Sequence, residues 1–206
     1  MPIHDWTRVD HGSFHDFHQG WATAIRSALN NGLLPPDYEA KVEQHKPLTA
    51  TESASDSYAR LRDIVVLRQD ERLATAVELV APGNKSNNNG IREFARKMTA
   101  AIDHGIHVLV LDLFPRDPSG IHPVIWSEYR DELYSPPPDK PLTFVSYAAG
   151  PTSRAYIQPA AVGEPLPEMP LFLEPESYIS LPLEATYASA FAGIPRRTRV
   201  RLGVPQ

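Results

Sequence analysis

The chain contains no cysteine, which excludes disulfides and thiolate metal centres and fits a reducing compartment. No apolar run approaches the ~18 residues of a membrane span. The opening residues, MPIHDWTRVD, have neither the basic nor the apolar region of a signal peptide. A cytoplasmic protein without a membrane partner is therefore expected. Positive charge is also scarce. Lys and Arg number 20 against 25 Asp and Glu, giving a net charge of −5 and a pI near 5.9. A protein that grips nucleic acid through many phosphates usually carries a basic surface, so this balance weighs against that role. The one basic cluster, Arg196, Arg197, Arg199 and Arg201, reads as a solvated helix end suited to the macrodipole. No internal repeat is present.

Proline is what the chain has in quantity: 21 residues, concentrated after residue 115, which predicts a second half of turns and extended segments. A length of 206 residues with 42% hydrophobic and 22% charged content suits one well-buried globular domain over 1–206. Its core spans 13–115 and a Pro-rich, strand-containing elaboration spans 116–206.

Residues 1–12 form an ordered lead-in carrying Trp6. Phe14, Phe17, Trp21, Ile25 and Leu29 recur at helical spacing, so 14–30 is an amphipathic helix, capped by Ser13 and stopped by Asn31-Gly32. A strand is expected at Tyr38 to Gln44, then a polar, unperiodic loop over 46–57. Strands at 63–68 and 73–80 are joined by a short polar link and form a hairpin. A turn-rich loop follows, then a helix capped by Asn89 with an apolar stripe of Ile91, Phe94, Ala95, Met98 and Ile102, closed by Gly105. The apolar strand 106–112 completes a βαβ unit, which implies a buried parallel pair. Beyond it, 122–133 reads as a short helix, 136–141 as a rigid linker, 142–147, 154–158 and 171–181 as strands, and 183–193 as a last helix. The fold class is mixed α/β.

Glu78 is the one charge inside an apolar run and needs a reason to be there. With Asp70-Glu71 as the two central turn residues, Arg68 faces Leu73, Val66 faces Thr75 and Asp63 faces Glu78. Two carboxylates so placed can share a divalent cation that offsets their repulsion and activates a water. The plainer reading makes them strand-end residues paired with Lys or Arg. Asp-Glu is not a favoured two-residue turn, and a slip of one residue would send one carboxylate to the other face.

Four histidines, His4, His11, His15 and His18, gather near the N-terminus. His15 and His18 have i, i+3 spacing compatible with metal ligation. However, His18 shares the stripe of Phe14, Trp21 and Ile25, which reads as a buried, hydrogen-bonded histidine, while His15 faces solvent. The loop from Gly83 to Gly90 precedes a helix and could hold an anion. It lacks the spacing of a phosphate-binding loop, and its asparagines also read as turn chemistry.

The order helix, strand, strand, strand, helix, strand across 14–112 is similar to the core of restriction-endonuclease-like, PD-(D/E)XK proteins. That resemblance implies an acid opening the second strand, an acid on the third, and Lys two residues later. Asp63 and Glu78 match the acids, whereas Val80 stands in the lysine position. The cation would then come from Lys85 in the loop or Lys97 on the helix, stabilising developing charge or positioning the attacking water. Asp63 and Glu78 would be catalytic residues and ligands of Mg²⁺ or Mn²⁺, with Glu43 as an extra acid.

A closer resemblance runs through MPIHDW, HDFH at 15–18, LLPP at 33–36, VELVAPGNK at 77–85, GIHVLVLDLFP at 105–115, PLFLEP and PLEATY. These segments resemble the uncharacterised bacterial domain-of-unknown-function family 4058, with its signature of Glu, two hydrophobics, Ser-Pro, any residue, Asn-Lys. Ala81 replaces the usual Ser, and the 46–57 loop is short for the family. The resemblance carries no established activity and implies the nuclease-like fold alone.

Two functions are in view. One is a divalent-metal-dependent nuclease or phosphodiesterase, with nucleic acid as its partner. The other is a non-catalytic binding or assembly module on a degenerate nuclease-like fold, such as a homodimer, which Val80 and the acidic balance favour. A histidine-based metal site within 4–18 stands third.

Overall fold

The computed structural model describes residues 1–42, 63–115, 121–127, 134 and 136–204. The expected loop 46–57 and Glu43 lie outside the described residues. So do residues 43–44 of the first expected strand and residues 128–133 of the expected helix over 122–133.

Helix α1 spans His11–Ala28, starting earlier than the spacing of apolar residues predicts. Its cap is Asp10, whose carboxylate accepts from the Ser13 N–H at 2.9 Å. Ser13 therefore sits in the first turn instead of capping it, because the carboxylate three residues upstream reaches its N–H first. The buried stripe is Phe14, Phe17, His18, Trp21, Ala22 and Ile25. The helix unwinds through a wide turn, Leu29–Leu33, where Gly32 takes a φ of 109° that a side chain would resist.

Six strands make one sheet: β1 Tyr38–Val42, β2 Ile64–Arg68, β3 Leu73–Leu79, β4 His107–Asp112, β5 Leu142–Ala148 and β6 Arg154–Ala160. They lie in sequence order. All neighbours are antiparallel except β3 and β4, which are parallel. Helix α2, Asn88–Asp103, makes the crossover between that pair. Its cap is Asn87, whose side chain accepts from the Gly90 N–H, two residues before the expected Asn89. Gly105 ends the crossover at a φ of 78°.

The hairpin between β2 and β3 has a three-residue turn, not the two-residue turn expected. The Arg68 N–H bonds to the Arg72 carbonyl, and Glu71 takes a positive φ of 62°. This is the three-residue turn that ends in a left-handed residue. The tip is consequently one residue out of the expected register, pairing Leu67 with Leu73. An irregularity between Val66 and Leu67 absorbs the offset, so that Val66 meets Thr75 and Ile64 meets Val77 as expected.

Alternation along β3 sends Val77 and Leu79 to one core, and Ala76 and Val80 to another. The first core is closed by α1, by the hairpin β7 Glu168–Glu174 and β8 Ser177–Pro182, and by α4 Leu183–Ala192. The second is closed by α2 and the short helix α3, Ile121–Ser127. The single strand expected over 171–181 is in fact this hairpin, because Pro175 and Glu176 make a turn inside it. A last short helix, α5 Arg196–Arg201, follows α4. The N-terminal segment is tied into the first core, with Trp6 Nε1 donating to the Tyr187 hydroxyl at 3.0 Å. No helix among the described residues is long and apolar enough to cross a membrane.

Candidate active site

The parallel pairing of β3 with β4 buries the end of β3, and Glu78 is buried with it at 3% exposure. Its neighbours on that face, Ala76 and Val80, pack under α2. Lys97 borders the apolar stripe of α2, and its ammonium meets Glu78 Oε2 at 2.8 Å. The charge inside the apolar run thus has a cation from the crossover helix.

Asp63 sits at the bend just before β2 and is also buried. Its Oδ2 accepts from the Leu79 N–H at 2.7 Å. The same oxygen lies 3.4 Å from His18 Nε2, which is 3.2 Å from the Leu79 carbonyl. Both neighbours of Nε2 are acceptors, so this nitrogen carries the proton. Burial works against a charged ring here, but the hydrogen bond and charge of Asp63, the Leu79 carbonyl and the charge of Glu78 outweigh it. The His18 pKa is raised as a result. The other ring nitrogen, Nδ1, is buried without a hydrogen-bond partner among the described residues.

Asp63, Glu78, His18 and Lys97 all line one cleft of about 400 Å³. One wall is α1, through Phe14 and His15, and the other is the turn after β3, through Pro82 and Asn84. Two carboxylates and two nitrogen bases therefore meet where α1, α2 and the end of β3 converge.

Lys85 is elsewhere. Its ammonium pairs with Asp112 Oδ2 at 2.5 Å and donates to the Phe114 carbonyl, and it does not line the cleft among the described residues. Both side chains of the pair are nearly inaccessible, at 7% and 5%. Burial pushes the Asp112 carboxyl up, and Lys85 works against that push. This pair fastens the turn after β3 to the end of β4. Asp112 carried only a faint signal in the sequence, as the acid that closes an apolar strand.

The remaining histidines divide by position. His11 and His15 lie on the exposed side of α1 at the cleft mouth. His4 stacks on Phe191 and bonds to the Tyr187 hydroxyl at 2.9 Å, away from the cleft. Among the described residues no group of three or more His, Asp or Glu side chains is arranged to hold a metal ion. The acidic donors at the cleft are two carboxylates, Glu78 facing the Lys97 ammonium and Asp63 facing the His18 ring. Such a set suits Mg²⁺ or Mn²⁺, which commonly use one or two carboxylates and complete their shell with water and substrate phosphate. It does not suit a closed zinc site.

The spacing argument put Asp63 opposite Glu78 and left open which lysine accompanies them. His18 read as buried and hydrogen-bonded, but its partner Asp63 lies 45 residues away in the chain and no local signal names it. No family model, curated protein or solved structure matches the chain.

Proposed function

We propose that the protein is a divalent-cation-dependent phosphodiesterase acting on nucleic acid, built on a restriction-endonuclease-like core. The observation that carries this reading is the meeting of Asp63 and Glu78 with Lys97 in one cleft. Burying two carboxylates costs folding free energy unless cations match them, and a cleft open to ligands is a poor place for a purely structural pair. The order of α1, β1, β2, β3, α2 and β4 supports the core assignment, and the fold analogy supports the chemistry only by association.

Asp63 and Glu78 would hold the cation, which when bound supplies Lewis-acid charge to a phosphoryl oxygen and acidifies a bound water. Lys97 fills, from α2, the role of the lysine missing at Val80. An ammonium 2.8 Å from Glu78 can stabilise the negative charge that develops on the phosphoryl oxygens. His18 orients Asp63: its Nε2–H and the Leu79 N–H fix the same carboxylate oxygen, which leaves the other oxygen available to a ligand. Phe14, Leu79 and Ala81 supply apolar lining that strengthens these interactions.

A second reading, a non-catalytic binding or assembly module, draws on the pairing of both acids with protein groups. Calorimetric titration with Mn²⁺ separates the two. Saturable binding in the wild type, lost in Asp63→Ala and Glu78→Ala proteins that still fold by circular dichroism, is the expected result. A folded wild type that neither binds Mn²⁺ nor cleaves single- or double-stranded DNA or RNA in its presence would favour the module.

A further inference from the structure

Asn84 also lines the cleft and has no assigned work. Asn84 lies in the 3₁₀ turn Pro82–Lys85 that follows β3. Its Oδ1 accepts from the Ala81 N–H at 2.8 Å. A backbone N–H can be met only by the amide oxygen, so the orientation of the side chain is fixed and Nδ2 is turned away from Ala81. Nδ2 has no acceptor among the described residues, and Asn84 is part of the cleft wall.

The turn that carries this amide is held on three sides. Within it, the Asn84 N–H bonds to the Ala81 carbonyl at 3.0 Å and the Ser86 N–H to the Gly83 carbonyl at 3.3 Å. The next residue, Lys85, is fastened to Asp112 and to the Phe114 carbonyl. The first turn of α2 packs directly on its backbone, since a Cβ on Gly90 would lie only 3.2 Å from the carbonyl oxygens of Gly83 and Asn84. The buried Lys85–Asp112 pair thereby anchors the backbone next to Asn84.

We infer that Asn84 is a substrate-binding residue whose Nδ2 donates to an anionic phosphoryl oxygen of the bound phosphodiester. This rests on the phosphodiesterase reading and names a contact that the reading lacks. Among the donors that line the cleft, Lys97 and Asn84 differ in kind. Lys97 is charged, flexible and engaged with Glu78, whereas Asn84 is neutral and oriented before any ligand arrives. A donor fixed in advance stabilises charge on the phosphoryl oxygens without reorganising. Asparagine also distinguishes ligands by sign: its free NH₂ holds no cation and can donate to a phosphoryl oxygen.

Asn84→Asp tests the assignment, because one carboxylate oxygen still accepts from the Ala81 N–H while the other replaces the donor with negative charge. Hydrolysis of bis(p-nitrophenyl) phosphate with Mn²⁺ and calorimetric binding of inorganic phosphate are measured on the wild type, Asn84→Asp and Glu78→Ala. Asn84→Asp is expected to keep the wild-type unfolding transition and Mn²⁺ binding, to lose roughly 100-fold in kcat/KM, and to weaken phosphate binding at least about tenfold. Unchanged kcat/KM and unchanged phosphate binding in a folded Asn84→Asp protein would overturn the inference. The underlying reading fails separately, when wild type and Glu78→Ala are equally inactive. In that event phosphate binding decides Asn84: binding lost in Asn84→Asp sustains the donor, and no binding to the wild type overturns it.

Discussion

At the scale of single residues, the two buried lysine–carboxylate pairs look alike and have different consequences. Lys97–Glu78 opens on the cleft, whereas Lys85–Asp112 is closed at both ends. Lys85→Met leaves the Asp112 carboxylate buried without its cation, a change that typically costs about 3–5 kcal/mol. The double variant Lys85→Met/Asp112→Leu removes both charges and should recover most of that loss, as measured by urea unfolding. It should also leave Mn²⁺ binding intact. A double variant as unstable as the single one would show that the pair acts through more than its charge. The sequence proposed Lys85 and Lys97 on equal terms, because both follow Glu78 closely. Only the packing separates them: α2 crosses over Glu78 and brings Lys97 down on it, while the turn after β3 directs Lys85 to the neighbouring strand.

The β2–β3 hairpin shows, at the scale of an element, how a wrong turn can still give the right strand register. The two-residue turn predicted from Asp70-Glu71 is a three-residue turn, with Glu71 in the left-handed region at a φ of 62°. The offset this introduces is removed before Val66, so the strands continue in the expected register as far as Ile64 opposite Val77. Burial explains the recovery. Ile64 and Val77 both face the first core, and a slip of one residue would turn one of them to the opposite face of the sheet, away from that core. Register is therefore enforced by the apolar face, not by the turn. Relief of the left-handed strain follows directly: Glu71→Gly should stabilise the protein by about 0.5–1 kcal/mol, the Cβ penalty less the entropy of the glycine. A lower urea midpoint for this variant would show that the Glu71 side chain makes a stabilising contact that outweighs its backbone strain.

Across the whole molecule, two buried histidines that do not line the cleft make stability depend on acid. Burial holds His107 and His122 at pKa values of about 4, against 6.5 for the free side chain. His107 Nδ1 accepts from the Ala149 N–H at 2.9 Å, a bond that a doubly protonated ring cannot keep. Both shifts are downward, so the unfolded chain takes up protons first. The stability contributed by the two neutral rings is complete above pH 6.5 and declines as pH falls toward 4, by up to about 1.4 kcal/mol per pH unit for each ring. His18 has the opposite sign: its raised pKa gives a contribution that is present at low pH and lost as pH rises through its folded value. Unfolding free energies compared between pH 7 and pH 4.5 should fall less steeply in His107→Gln than in the wild type. Equal slopes would mean that His107 already carries its proton in the folded state.

Local pattern was enough to read the element order, the parallel pair and the apolar faces of α1 and α2, because periodicity and turn residues act over a few positions. The same local reading placed one strand over 171–181 where Pro175 turns the chain into a hairpin, and it set the caps of α1 and α2 two or three residues late. In both caps an upstream Asp or Asn competes with the expected residue, and the choice depends on where the helix is packed. By itself the sequence determined the hairpin register that sets Val66 opposite Thr75 and Ile64 opposite Val77, since the period of two and the buried face fix it, and it singled out the acids Asp63 and Glu78 at the open end of that hairpin. Tertiary structure alone decided their company. His18 comes from α1, Lys97 from α2 and the Asn84 amide from a turn anchored on β4, and contacts between elements distant in the chain leave no periodic trace in the sequence.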